Sequence, residues 1–219
     1  PENLKVVSEM AYAIRNVSNL AIASMQSIWY GRQESLFGCI NDKNFLLDYT
    51  KKAIDFSAAI RCPHIVFGSP KNRIFPANGK VQDAVNFFSE CASHASLRGI
   101  VIGIEANPVA YGTNFLNTTA QVIDFIKLIN SPSIRVNLDL GAVIENNEDV
   151  NLFPDYLKYT SHIHISEPML APVISRPIHK ILKDAIKNSD YSGWISLEMK
   201  NCAIDGLFSS IETLSNEFL

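Results

Sequence analysis

No apolar run in this 219-residue chain approaches the roughly 18 residues that a membrane span requires, and the longest, such as Gly99–Ile104, are strand-sized. No cationic-then-apolar signal segment opens it. Positive charge is not in excess either: 19 Lys and Arg face 22 Asp and Glu, for a net charge of −3. That leaves no basic footprint for nucleic acid or for a membrane surface, so neither is expected as a partner. Cysteine is scarce, with Cys39, Cys62, Cys91 and Cys202 far apart and no CxxC pair. The expectation is reduced thiols in a cytoplasmic protein. No GxGxxG and no GxxxxGKS/T follows any strand-like run, which removes the usual nucleotide-binding sites.

What is present is alternation of strand and helix along residues 1–219, with no linker or low-complexity tract, read as one domain. Apolar residues at Leu4, Val7, Ala11 and Ile14 predict a helix over Glu2–Asn16. Strands are predicted at Asn19–Gln26, His64–Pro70, Ile100–Glu105, Ile134–Asp139, Ser161–Ser166 and Trp194–Glu198. Helices between them run from about Asp42 to Ile60, Lys80 to Leu97, Thr119 to Ile129 and Ile178 to Lys187, with a last one from Asp205. Thr118 with Gln121 offers a capping box, and Gly99 sits where a C-cap glycine belongs. Alternating βα units imply a parallel sheet. The fold class is α/β, a (β/α)8 TIM barrel. A barrel needs eight strands and about 250 residues, so with six counted the first two strands are expected to lie outside this chain. The start at Pro1 rather than methionine points the same way.

Four strands close on a residue that can bind a metal or move a proton: Glu105, Asp139, His164 (with His162 and Glu167 beside it) and Glu198. Parallel strands of a barrel bring their carboxyl ends to one face, so these positions are expected to meet. A carboxylate there is costly unless paired, hydrogen-bonded or metal-bound. Three carboxylates and an imidazole suit one divalent ion, Mn, Mg, Co or Zn.

The segments IGIEANP, NLDLGA, HIHISEP and WISLEMK, with FGSPKNR earlier, resemble the xylose-isomerase-like superfamily of sugar isomerases and epimerases, and within it the sugar phosphate isomerase/epimerase proteins. The resemblance implies a metal set of Glu105, Asp139, His164 and Glu198. It also implies catalysis by Glu105 and Glu198, one as base and one as acid, on a sugar or sugar phosphate through an enediolate. The ketose 3-epimerases of this superfamily carry sugar-contacting Glu, His and Arg where this chain has Tyr111, Ala142 and Leu170. A free ketohexose is therefore not the expected substrate.

Other residues offer replacement contacts. Lys71 and Arg73 follow a strand and suit a phosphate or carboxylate. Asn107, Tyr111, Asn114 and Lys200 are candidate donors to a polyol, and Gln26 ends a strand that reaches the same face. Glu167 is a candidate acid/base or a partner of the histidine. Trp29 and Tyr30 are candidates for a pocket wall. His162 and His64 are expected to be structural, while His94 and His179 are expected to face solvent. Two readings compete with the isomerase. An apurinic endonuclease would need more than the five histidines present and a basic surface. A non-catalytic barrel that binds a carbohydrate-like ligand would accord with the three replaced contacts. Open strand edges would favour closure by a partner chain or a homo-oligomer.

Overall fold

Five parallel strands form one sheet in the order β1-β2-β3-β4-β5. They are β1 (His64–Phe67), β2 (Val101–Glu105), β3 (Ile134–Asp139), β4 (Thr160–Ile165) and β5 (Trp194–Leu197). The computed structural model describes residues 3–219. Each new strand is laid beside the last with no reversal of order, which curls the sheet into a half-barrel rather than opening it into a doubly wound layer. The outward faces carry Ile102, Ile104, Val136, Leu138, Ile163 and Ile165, all buried under the helices.

Those helices are α1 (Leu4–Ser18), α2 (Ile40–Ala59), α3 (Val81–Arg98), α4 (Thr119–Ile129), α5 (Leu140–Glu145), α6 (Phe153–Leu157), α7 (Pro177–Lys187) and α8 (Ile204–Phe218). Glu2, at the expected start of the first helix, lies outside the described residues. The local signals hold: α4 has its capping box at Thr118 and Gln121, and α3 stops at Gly99 with φ +67°.

The strand expected at Asn19–Gln26 does not form. Only Met25 bridges Ile65, through Met25 N to His64 O (3.0 Å) and Val66 N to Met25 O (2.7 Å). Positive φ at Asn19 (56°) and Ser27 (58°) breaks the extended run at both ends, and no second strand among the described residues pairs with it. His179, expected in solvent, is buried and packs 5.9 Å from the Phe218 ring between α7 and α8. His94 is half-buried and pairs with Asp55 at 2.9 Å. Trp29 is an anchor of the core: it meets Phe67 and Phe87 edge-on, and its indole N–H donates to Thr50 Oγ1. Tyr30, by contrast, is exposed. All four cysteines are free thiols.

The concave face of the sheet is polar where a barrel interior is ordinarily filled by branched apolar side chains. His64, Gly103, Asn137, His162 and His164 lie there. His64 stacks on His162 with centroids 4.9 Å apart, and its Nε2 meets Ser161 Oγ at 2.9 Å. Gly103 makes the room, since a Cβ there would lie 2.7 Å from His64 Nε2. Between β3 and β4 the register slips by one: Val136 faces Thr160 but Asn137 faces His162, so Ser161 is the extra residue of a β-bulge.

Candidate functional site

Strand alternation sends Glu105, Asp139 and His164 to the concave side, and Glu198 follows directly on β5. Register places Glu105 across from Asn137 and Asp139 across from His164. Glu198 is tied to β4 by its backbone N–H, which donates to Ile165 O at 3.0 Å. One ligand atom from each of Glu105, Asp139, His164 and Glu198 lies within 4.8 Å of all the others.

His164 Nδ1 points into this cluster, 3.0 Å from Glu198 Oε2 and 3.3 Å from Glu105 Oε2. Burial would strip its proton, but hydrogen bonds to the two glutamates outweigh that and lift its pKa to about 10. Asp139 is pushed the other way from an ordinary carboxylate. Burial and the nearby charges of Glu105 and Glu198 raise its pKa, against a hydrogen bond from Ser166. Its Oδ2 accepts from Ser166 Oγ at 2.5 Å, and Oδ1 caps α5 by accepting from Ala142 N at 2.6 Å. Glu198 is half-buried, and its desolvation would raise its pKa, yet His164 and the Gln26 side chain hold it below the usual carboxylate value.

A crowd of three carboxylates is repulsive unless a cation or protons offset it. The donor set thus fits a divalent ion, with Glu105, Asp139, His164 and Glu198 as the residues that would hold it.

Beside the cluster opens a cavity of about 230 Å³. It is lined by Gln26, Ser27, Val66, Gly68, Ser69, Pro70, Glu105, Asn107, Tyr111, Asp139, Leu170 and Glu198. Among the expected contacts, Gln26, Asn107 and Tyr111 line it. Tyr111 Oη also accepts from Met169 N at 3.0 Å.

The other candidates lie elsewhere. Arg73 is fully buried in a 3-10 turn (Pro70–Arg73); its Nη2 donates to Glu105 O at 2.9 Å and its guanidinium lies over the Phe67 ring. Burial lowers its pKa to about 10. Lys71 is exposed and Lys200 is exposed, and neither lines the cavity. Asn114 holds the Phe75 backbone, accepting from its N–H and donating to its carbonyl. Glu167 is buried in an ion pair with Arg176 at 2.7 Å, away from the histidine.

Three residues near the centre escaped the sequence reading. Asn137 Nδ2 donates to Glu105 Oε2 at 2.8 Å and lies 3.3 Å from His164 Nδ1. Ser166 holds Asp139, and Gly68 leaves open the space beside Glu105 Oε1, which a Cβ would approach to 3.1 Å. Period-two alternation back from Asp139, and forward from His164, would have pointed to the first two.

Residues 41–215 match a family model described as the xylose isomerase-like TIM barrel. The chain belongs to that family. No curated protein matches its sequence. Solved structures similar to it include a D-tagatose 3-epimerase-like protein, with a TM-score of 0.80 and 17% identity over 99% of this chain and 82% of that one. A 3-keto-D-glucoside 4-epimerase from E. coli matches with a TM-score of 0.78 and 14% identity, over 98% of this chain and 86% of that one. A D-allulose 3-epimerase from Methylomonas sp. gives 0.77 and 18%, over 96% and 82%. At such identities the likeness carries the fold. Membership of the family carries the barrel, of which this half-barrel holds five strands, and no helix among the described residues is long and apolar enough to cross a membrane.

Proposed function

We propose that this chain is a divalent-metal-dependent sugar isomerase or epimerase. The observation that carries the reading is the convergence of Glu105, Asp139, His164 and Glu198 to within 4.8 Å at the wall of a sugar-sized cavity. The names of the three structures given above, each an epimerase or likened to one, support it, while another similar structure is named an AP endonuclease of family 2. When bound, a divalent ion supplies Lewis-acid polarisation of the sugar carbonyl.

The chain's own residues do the rest. Glu105 turns Oε2 toward His164 and Asn137 and leaves Oε1 on the cavity side, where Asn107 Nδ2 donates to it at 3.1 Å. Glu198, held ionised, is the matching carboxylate. One of the two takes a proton from the carbon next to the carbonyl, leaving an enediolate. The other, entering the step as the protonated acid, gives its own proton to the opposite face, which inverts that centre and leaves the two glutamates with their protonation states exchanged. Delivery to the neighbouring carbon would isomerise the sugar instead. Gln26, Asn107 and Tyr111 are placed to hold hydroxyl groups.

The cavity lining holds no lysine or arginine. Three carboxylates with one dication favour an uncharged sugar over a sugar phosphate, because a phosphate would meet no counter-charge of its own.

The test is solvent exchange. Mn²⁺-loaded protein in D₂O is incubated with a panel of ketoses and their phosphates, and deuterium at the carbon next to the carbonyl is read by NMR. Exchange is expected with uncharged members other than the free ketohexoses, whose Glu, His and Arg contacts are replaced here by Tyr111, Ala142 and Leu170. Glu105→Gln or Glu198→Gln should slow it by about 10²–10⁴-fold. Exchange with no member of the panel would instead support a barrel that binds a carbohydrate without turning it over.

A further inference from the structure

The concave face contains one amide whose presence is not explained by packing. Asn137 is buried, with 1% of its surface exposed, and its Oδ1 has no hydrogen-bond partner. An orphaned buried acceptor costs about 1–3 kcal/mol, and a leucine would fill this part of a barrel interior without that cost. The other end of the amide accounts for the expense. Its Nδ2 donates to Glu105 Oε2 at 2.8 Å and lies 3.3 Å from His164 Nδ1. The orientation is set by the partner, since a carboxylate oxygen only accepts and must face the NH₂ group.

Backbone and neighbours are shaped around the same side chain. Opposite the Val136–Asn137 step, the extra residue Ser161 shifts the β4 register so that Asn137 pairs with His162. On the adjoining strand Gly103, two residues before the facing Glu105, leaves the side chain room, since a Cβ there would sit 3.2 Å from Asn137 Cβ. Glu105 thereby has each oxygen held by a different amide, Oε1 by Asn107 and Oε2 by Asn137. Asn107 lines the cavity, whereas Asn137 does not. Asn137 therefore faces only the ligand set.

The geometry points to Asn137 as a positioning residue of the metal centre. Its amide holds Glu105 Oε2 against His164 Nδ1, so that two of the four donors stand in place before an ion arrives. It touches neither the cavity nor the reacting carbon, and acts through Glu105. This assignment rests on the metal-centre reading proposed above, and it adds a determinant of affinity and coordination geometry.

Asn137→Leu tests it, with Asn137→Ser as the second variant in case the larger apolar side chain prevents folding; serine is too short to reach Glu105. The probes are Mn²⁺ by titration calorimetry and Co²⁺ by its visible absorption spectrum. In a folded variant, Mn²⁺ affinity should fall by about 10- to 100-fold, the usual range when the partner of a ligand is lost. The Co²⁺ bands should shift as Glu105 changes its mode of binding. A merely structural asparagine would lower thermal stability and leave the Co²⁺ spectrum of the folded protein as it was. Wild-type affinity and an unchanged spectrum in either variant would overturn the assignment while leaving the metal centre intact. Failure of the wild-type protein to bind either ion would instead overturn the metal-centre reading itself, and Asn137's role with it.

Discussion

Asp139 has both oxygens engaged before any ion is considered: Oδ1 caps α5 and Oδ2 takes the Ser166 hydroxyl. Burial and two neighbouring glutamates raise its pKa, while those same glutamates raise that of His164 to about 10. The metal-free centre thus holds protons at neutral pH that a dication must expel, because ligands bind in their deprotonated form. The sign follows: affinity rises with pH toward the pKa of His164, and uptake releases protons. At pH 7 we expect about one to two protons per ion, read from calorimetry in buffers of different ionisation enthalpy. A binding enthalpy independent of buffer would contradict this. At this scale the four residues that cluster were legible in the sequence because each puts a rare, chemistry-bearing side chain at the end of an apolar strand. Asn137 shares the face of Asp139 by period two, but alternation gives only its direction; its role, like that of Gly68, depends on the neighbours it meets. Arg73 misled for a related reason. Its place two residues beyond Lys71 suggests a pair of surface cations, but the 3-10 turn rotates one inward to hold the Glu105 carbonyl and leaves the other in solvent.

Among elements, β2 carries a tight constraint at its one glycine. Gly103 cannot gain a methyl group without meeting His64 Nε2 at 2.7 Å and Asn137 Cβ at 3.2 Å. Gly103→Ala is expected to cost about 1–3 kcal/mol by overpacking, seen as a lower denaturant midpoint with an unchanged slope. An unchanged midpoint would mean that the histidine ring gives way freely. Helices were read well from the sequence because their signals are local: α4 has its own capping box and α3 its own glycine stop. A strand depends on what lies beside it. Residues 19–26 have the apolar character of a strand, but only Met25 finds a partner in Ile65, and composition cannot reveal a missing neighbour.

Over the whole molecule, the half-barrel leaves one side without cover. The outer edge of β5 is unpaired among the described residues and Trp194 stands half in solvent. Apolar side chains of α1 (Met10, Tyr12, Ile14, Val17) and α8 (Ile204, Phe208) are exposed. Between Met25–Ile28 and α2 runs a groove of about 320 Å³, lined by Tyr49, Ala53 and Phe56 among others. Unpaired strand edges and apolar patches of this kind promote association. Produced as these 219 residues, the protein is expected to self-associate on size-exclusion chromatography with light scattering and to bind an apolar dye. A monodisperse monomer that leaves the dye dark would contradict the expectation. The barrel class, the strand order and the face bearing the site could all be inferred from the alternation of segments. How far the sheet closes could not, since curvature is a property of the complete ring.

All four donors lie on or directly after β2, β3, β4 and β5, four strands that follow one another in both sequence and space. An ion among them would stitch neighbours together instead of joining distant ends of the chain. Its stabilising effect would then be regional: amides from Glu105 to Glu198 would gain protection from hydrogen exchange, and those of α1 and the Met25 bridge would not. The open side could breathe, associate or unfold while the loaded half stayed shut, giving one sheet two separate lifetimes.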